Sequence, residues 1–179
     1  ILTDDDDLAR RARYLAAQAK DDPIEFVHGD IGFNYRLPNL NAAVALAQAE
    51  KLEEFLRRKR SHIDRYGARL EGIDGVAMWR EAPWAESSYW MAMLTVDERK
   101  HPDAIARLRQ FLPLRGIEAR PAWLPLHKQA PFAGAPRQEI KVADRIYRTS
   151  LCLPCSTGLA ESDLARTAEA IVDFFAMNT

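Results

Sequence analysis

Residues 32–48, Gly-Phe-Asn-Tyr-Arg-Leu-Pro-Asn-Leu-Asn-Ala-Ala-Val-Ala-Leu-Ala-Gln, set a polar and aromatic cluster directly against the start of an apolar helix. Gly32 permits close backbone approach, Asn34 offers an amide and Arg36 a guanidinium. Pro38 blocks helix before it, and Asn39 is suited to cap the helix that follows. On the residues alone an ordinary capped loop is the simpler reading, and a ligand-binding loop the sharper one.

Around this segment the chain alternates helices and short strands. Asp4 to Asp7 read as the charged start of a helix with Leu8, Ala12, Leu15, Ala16 and Ala19 on its apolar face. The aspartate run lacks the ligand spacing and glycine of a calcium loop. Asp21-Asp22-Pro23 ends that helix, and residues 24–30 lead into the motif loop. From Asn39 to about Leu70 apolar positions recur near helical spacing, predicting one long connecting helix with Glu53 and Glu54 set one turn before Arg57 and Arg58. The run Arg57-Arg58-Lys59-Arg60 reads as a solvated face, because four consecutive helical residues point in all directions and cannot converge on one ligand.

Gly67, Gly72 and Gly75 mark a change of unit, giving residues 1–70 as one part and 71–179 as another. Strands are expected at Val76 to Trp79, Tyr89 to Val96, Ile117 to Ala119 and Leu151 to Leu153. Helices are expected on Ile105, Leu108 and Leu112, on Ile140, Ala143 and Tyr147, and on Leu164, Ala168, Ile171 and Phe175. Pro121 to Pro136 lacks helical continuity and reads as a long functional loop. The fold class that follows is α/β.

The chain has 179 residues, 47% hydrophobic and 28% charged, enough to bury a core as one domain or as one small domain plus part of another. A net charge of -1 gives no bulk attraction to nucleic acid or anionic membrane. The apolar runs are too short to span a bilayer and no signal peptide is evident, so a cytoplasmic location is expected. A start at Ile1 rather than Met reads as the boundary of a longer chain. Cys152 and Cys155 have redox-motif spacing, but Pro154 and the following Ser-Thr-Gly argue for a turn and two reduced thiols. No metal is expected, since His28, His62, His101 and His127 lack paired spacing. Trp79, Trp84, Trp90 and Trp123 are expected in core or interface.

The segment from Gly32 resembles the Gly-Tyr-Asn-Tyr-Arg-(Met/Leu)-x-Asn motif of the DegT/DnrJ-type sugar aminotransferases, with Phe33 replacing a tyrosine. Ile1 to Asp4 with Asp7-Leu8-Ala9 resembles the strand and helix that follow the family's lysine segment. Gly116-Ile117-Glu118-Ala119-Arg120-Pro121, Pro125-Leu126-His127 and Leu153-Pro154 with Gly158-Leu159 resemble its later stretches. Within the family, Gln18 to Asp22 and Leu151 to Ser156 are most similar to the bacillosamine- and legionaminic-type branch.

The resemblance implies a fold-type I transferase dependent on pyridoxal 5'-phosphate (PLP), represented by its C-terminal small domain and the last segment of its large domain. It implies transfer of an amino group from glutamate to a 4-keto nucleotide sugar in a homodimer. Asn34 would reach the cofactor phosphate of the other subunit. Arg36 and Arg120 would bind the sugar nucleotide's diphosphate, or equally form structural ion pairs, and His127 would contact substrate. The Schiff-base lysine would lie upstream, leaving no catalytic residue in this chain, because its six lysines sit in charged or loop contexts. A non-catalytic homologue serving only in assembly, and a PLP-dependent sugar dehydratase of the same family, are the alternatives.

Overall fold

A computed structural model describes residues 1–22 and 24–177. The break assigned to Asp21-Asp22-Pro23 rests partly on Pro23, which lies outside the described residues. The chain forms two compact units, the first ending at Lys51 and the second beginning at Leu52.

In the first unit, Asp5 caps helix α1 (Asp6–Ala16), its carboxylate accepting from the amides of Asp7 and Leu8 at 2.9 and 3.0 Å. The chain reverses through Gln18 and Ala19, both left-handed at φ 67° and 48°, and Ala19 is wholly buried. Ala19 therefore lies beyond the helix on whose face its spacing placed it. Strand β1 (Lys20–Asp22) pairs antiparallel with β2 (Val27–His28). Ile1 and Leu2 form no strand and are fully exposed.

Helix α2 (Asn39–Ala49) begins behind an extended Pro38 at φ -64°, ψ 150°, with no side-chain cap. Asn39 is thus the first helical residue and not the cap, because proline's fixed φ already supplies the entry geometry. No residue of α2 is buried. The expected single helix over 39–70 is two, since α2 ends at Ala49 and α3 runs over Leu52–Leu70. The apolar spacing carries the reason: after Leu46 the next large apolar residue is Leu52, a step of six that slips the stripe off one face.

The second unit is built on an antiparallel sheet of order β3-β4-β6-β5, comprising Val76–Met78, Ala92–Val96, Ser150–Leu153 and Arg120–Pro121 respectively. Burial alternates along β4, with Ala92, Leu94 and Val96 inward. The core joins these to Ile63, Tyr66 and Leu70 of α3, to Ile105 and Leu108 of α4 (Ala104–Phe111), and to Leu164, Ala168, Ile171 and Phe175 of α6 (Glu161–Ala176). Because α3 buries its apolar face here, the second compact unit begins with that helix, at Leu52. Helix α5 (Lys141–Thr149) precedes β6. The strand expected at 117–119 lies at Arg120–Pro121, where β6 supplies the hydrogen-bonding edge. Residues 122–136 are irregular apart from single 3-10 turns at Leu126–Lys128 and Ala130–Phe132.

Candidate functional site

The loop that carries Asn34 and Arg36 is fixed through its backbone to the end of α1. Phe33 donates to Leu15 O at 2.7 Å and Tyr35 to Ala16 O at 3.1 Å, while Gln18 donates to Phe33 O at 3.1 Å. Asn34 forms a lone antiparallel bridge with Ala17. Phe33 and Tyr35 stack with ring centroids 5.1 Å apart. A Cβ at Gly32 would lie 2.3 Å from Ala19 N and Gln18 C, so only glycine fits this approach. The approach is braced by an Arg11–Asp30 ion pair, which holds the Asp30 carboxyl below its ordinary range, and by Tyr14 donating to Asp21 at 2.8 Å, which raises the phenol.

Against this fixed backbone the Asn34 and Arg36 side chains are exposed, and among the described residues neither makes a hydrogen bond or ion pair. The loop presents an unused neutral donor and an unused cation two residues apart.

The other candidates lie in the second unit. Arg120 sits on β5 opposite Cys152, its guanidinium bound to Glu118 Oε1 by Nε at 2.9 Å and Nη2 at 2.5 Å, with both side chains exposed. His127 occupies the 3-10 turn, with Nε2 2.9 Å from Asp144 Oδ1 on α5, and Lys128 Nζ lies 3.3 Å from the same oxygen. These are ion-pair distances without hydrogen-bond alignment at that oxygen. Asp144 had no local signal in sequence, since its partners are separated from it by most of the irregular segment. Trp123 stacks on Trp90 at 5.5 Å, and both are exposed. Trp79 and Trp84 are exposed too, so the four tryptophans are not core residues. Asn34 and Arg36 share one loop, and Arg120, Trp123 and His127 share one stretch of chain; no hydrogen bond or ion pair joins Arg120 to His127 among the described residues.

None of the six lysines is buried. Lys59 Nζ donates to Trp90 O and Cys155 O, each at 3.0 Å; Lys100 pairs with Asp74, Lys128 with Asp144 and Lys141 with Glu139. Lys20 lies over the Phe26 ring. No group of residues suited to hold a metal ion, and no helix long and apolar enough to cross a membrane, occurs among the described residues.

The arrangement of helices and strands is that of aminotransferases. TlmJ of Streptoalloteichus hindustanus, an aminotransferase of known crystal structure, superposes with a TM-score of 0.80 at 26% identity, over 98% of this chain and 46% of its own. The chain belongs to the DegT/DnrJ/EryC1/StrS aminotransferase family, whose model matches residues 1–172. It is 33% identical over 98% of its length to EpsN of Bacillus subtilis, whose name places it provisionally among the pyridoxal phosphate-dependent aminotransferases, and 31% identical over 96% to GDP-perosamine synthase of Caulobacter vibrioides. These matches cover 45% and 46% of the relatives, so the chain spans about half their length.

Proposed function

We propose that this chain is the C-terminal part of a PLP-dependent aminotransferase that aminates a 4-keto sugar carried on a nucleotide, with glutamate as amino donor. The observation that carries the reading is the free Asn34 amide on a pinned loop, in a chain matched by the family along 1–172. The names of relatives point the same way: one is a GDP-perosamine synthase and another a dTDP-3-amino-3,4,6-trideoxy-alpha-D-glucose transaminase. In this reading residues 1–70 carry the end of the large domain and the connecting helix, 71–179 form the small domain, and the protein is a cytoplasmic homodimer.

The residues present fit the cofactor's phosphate. An exposed amide with no internal partner, on backbone that a Cβ at Gly32 would displace, is a preorganised donor to an anion. When bound, PLP supplies the electron sink for amino transfer; the protein supplies binding and orientation. Asn34 donates to the phosphate of the partner's cofactor. Arg36 and Arg120 bind the diphosphate of the sugar nucleotide, Arg120 exchanging its exposed Glu118 contact, which costs little in water. His127, with Asp144 2.9 Å from its Nε2, contacts the sugar.

The test is amination by the longer protein that carries this chain, given PLP, glutamate and a UDP-linked 4-keto sugar. Mass spectrometry is expected to show an amino sugar, with 2-oxoglutarate formed in equal amount. The 179-residue chain alone is expected to form none. A deoxygenated product without nitrogen would identify the dehydratase, and no product from the longer protein would favour an assembly role.

A further inference from the structure

We infer that the second unit carries an anion site, suited to a phosphate group, between α3 and the turn that follows β6. A cavity of about 320 Å³ lies there, lined by Arg57, Arg58, Ser61, His62, Arg65 and Thr157 among others. Arg57, Ser61 and Arg65 recur every four residues and so share one helix face, with Arg58 beside them. Lys59 and Arg60 leave this face: Lys59 binds carbonyls at Trp90 and Cys155, and Arg60 forks onto Glu81 at 2.7 and 3.0 Å. The basic run does not converge as a whole, but its first two arginines join residues one and two turns on.

No carboxylate lines the cavity. Arg58 pairs with Glu54 at 2.6 Å and donates to Thr157 O at 3.1 Å, and Glu161 is shared by Arg65 and Arg69. Four guanidiniums thus meet two carboxylates, leaving two positive charges locally. Arg57 is exposed and, among the described residues, makes no hydrogen bond or ion pair. His62 in the same wall is 6% exposed, with Nδ1 buried and unpartnered. Guanidinium forks match phosphate oxygens in geometry and charge. The cavity has room for a phosphate monoester. Arg36, Arg120 and His127 do not line it, so the inference stands apart from the amino-sugar reading.

Titration calorimetry of the 179-residue chain at low ionic strength, with inorganic phosphate and separately with phenyl phosphate, tests it. One saturable site is expected, weakened about tenfold to a hundredfold by Arg57→Ala, the range for loss of a charged hydrogen bond. Arg57 is exposed and makes no hydrogen bond or ion pair among the described residues, and circular dichroism of the variant is expected to match the parent. Tighter binding of phenyl phosphate assigns the site to esters, and equal or tighter binding of the inorganic ion assigns it to free phosphate. Arg137→Ala, which removes an exposed arginine that does not line the cavity, is expected to leave the titration unchanged. Absence of saturable binding by either probe, an unchanged affinity in Arg57→Ala, or an equal loss in Arg137→Ala would overturn the site.

Discussion

Pro154, Cys155, Ser156 and Thr157 present four consecutive carbonyls outside any strand or helix, and a side chain of α3 meets each one. Tyr66 donates to Pro154 O at 2.9 Å, Lys59 to Cys155 O at 3.0 Å and Arg58 to Thr157 O at 3.1 Å, while His62 Nε2 lies 3.2 Å from Ser156 O. A turn without a ladder must satisfy its backbone in this way, or lose the cost of buried unpaired groups. Burial pushes the Tyr66 phenol up to about 12, so it remains a donor throughout the neutral range. His62 is held below its ordinary pKa, first by burial and also by Arg65 and Lys59, against the Ser156 carbonyl and Glu161. A histidine with a depressed folded pKa binds fewer protons folded than unfolded. Its contribution is therefore fully present above the unfolded value of about 6.5 and is lost as pH falls toward the folded value. Thermal unfolding is expected to show a loss of stability from pH 7.5 to about 5.5 that is smaller in His62→Gln, which keeps an amide donor for Ser156. Equal pH dependence in the two proteins would remove His62 as the cause.

At the scale of elements, strongly periodic stretches were legible and irregular ones were not. The faces of α4 and α6 match the expected apolar positions, because both bury them in one core, whereas on α5 the expected Ile140 precedes the helix and is exposed and Ala143 and Tyr147 are only partly buried. The turn from α1 into β1 gave no signal, since it uses left-handed Gln18 and Ala19 where a glycine would have announced it. Asn34 and Arg36 were legible through their motif; Asp144 and Trp90 were not, because their partners His127 and Trp123 are brought to them by tertiary packing alone. Gly32 bears on the motif loop most directly. Gly32→Ala is expected to lower stability by about 1–3 kcal/mol, the usual cost of overpacking, and to shift the amide resonances of Gln18, Ala19 and Phe33. Gly134→Ala, whose added Cβ meets open space, is the control expected to do neither.

At the scale of the whole molecule, the second unit has a closed core, whereas α2 exposes Leu40, Val44 and Leu46 and buries nothing. Large exposed apolar residues on one helix mark a surface that takes a partner. That pattern suits a chain about half the length of its relatives, and supports the proposal that the site is completed by the rest of the protein and by a second subunit. The measurement closest to the central claim is PLP affinity in the longer protein, by absorbance titration of the parent and of Asn34→Ala. Removing one donor to a phosphate anion is expected to weaken binding about tenfold to a hundredfold while the unfolding temperature stays unchanged. Unchanged PLP affinity, or a loss explained entirely by unfolding, would make the Gly32 to Arg36 loop structural and contradict its assignment as the cofactor-binding element.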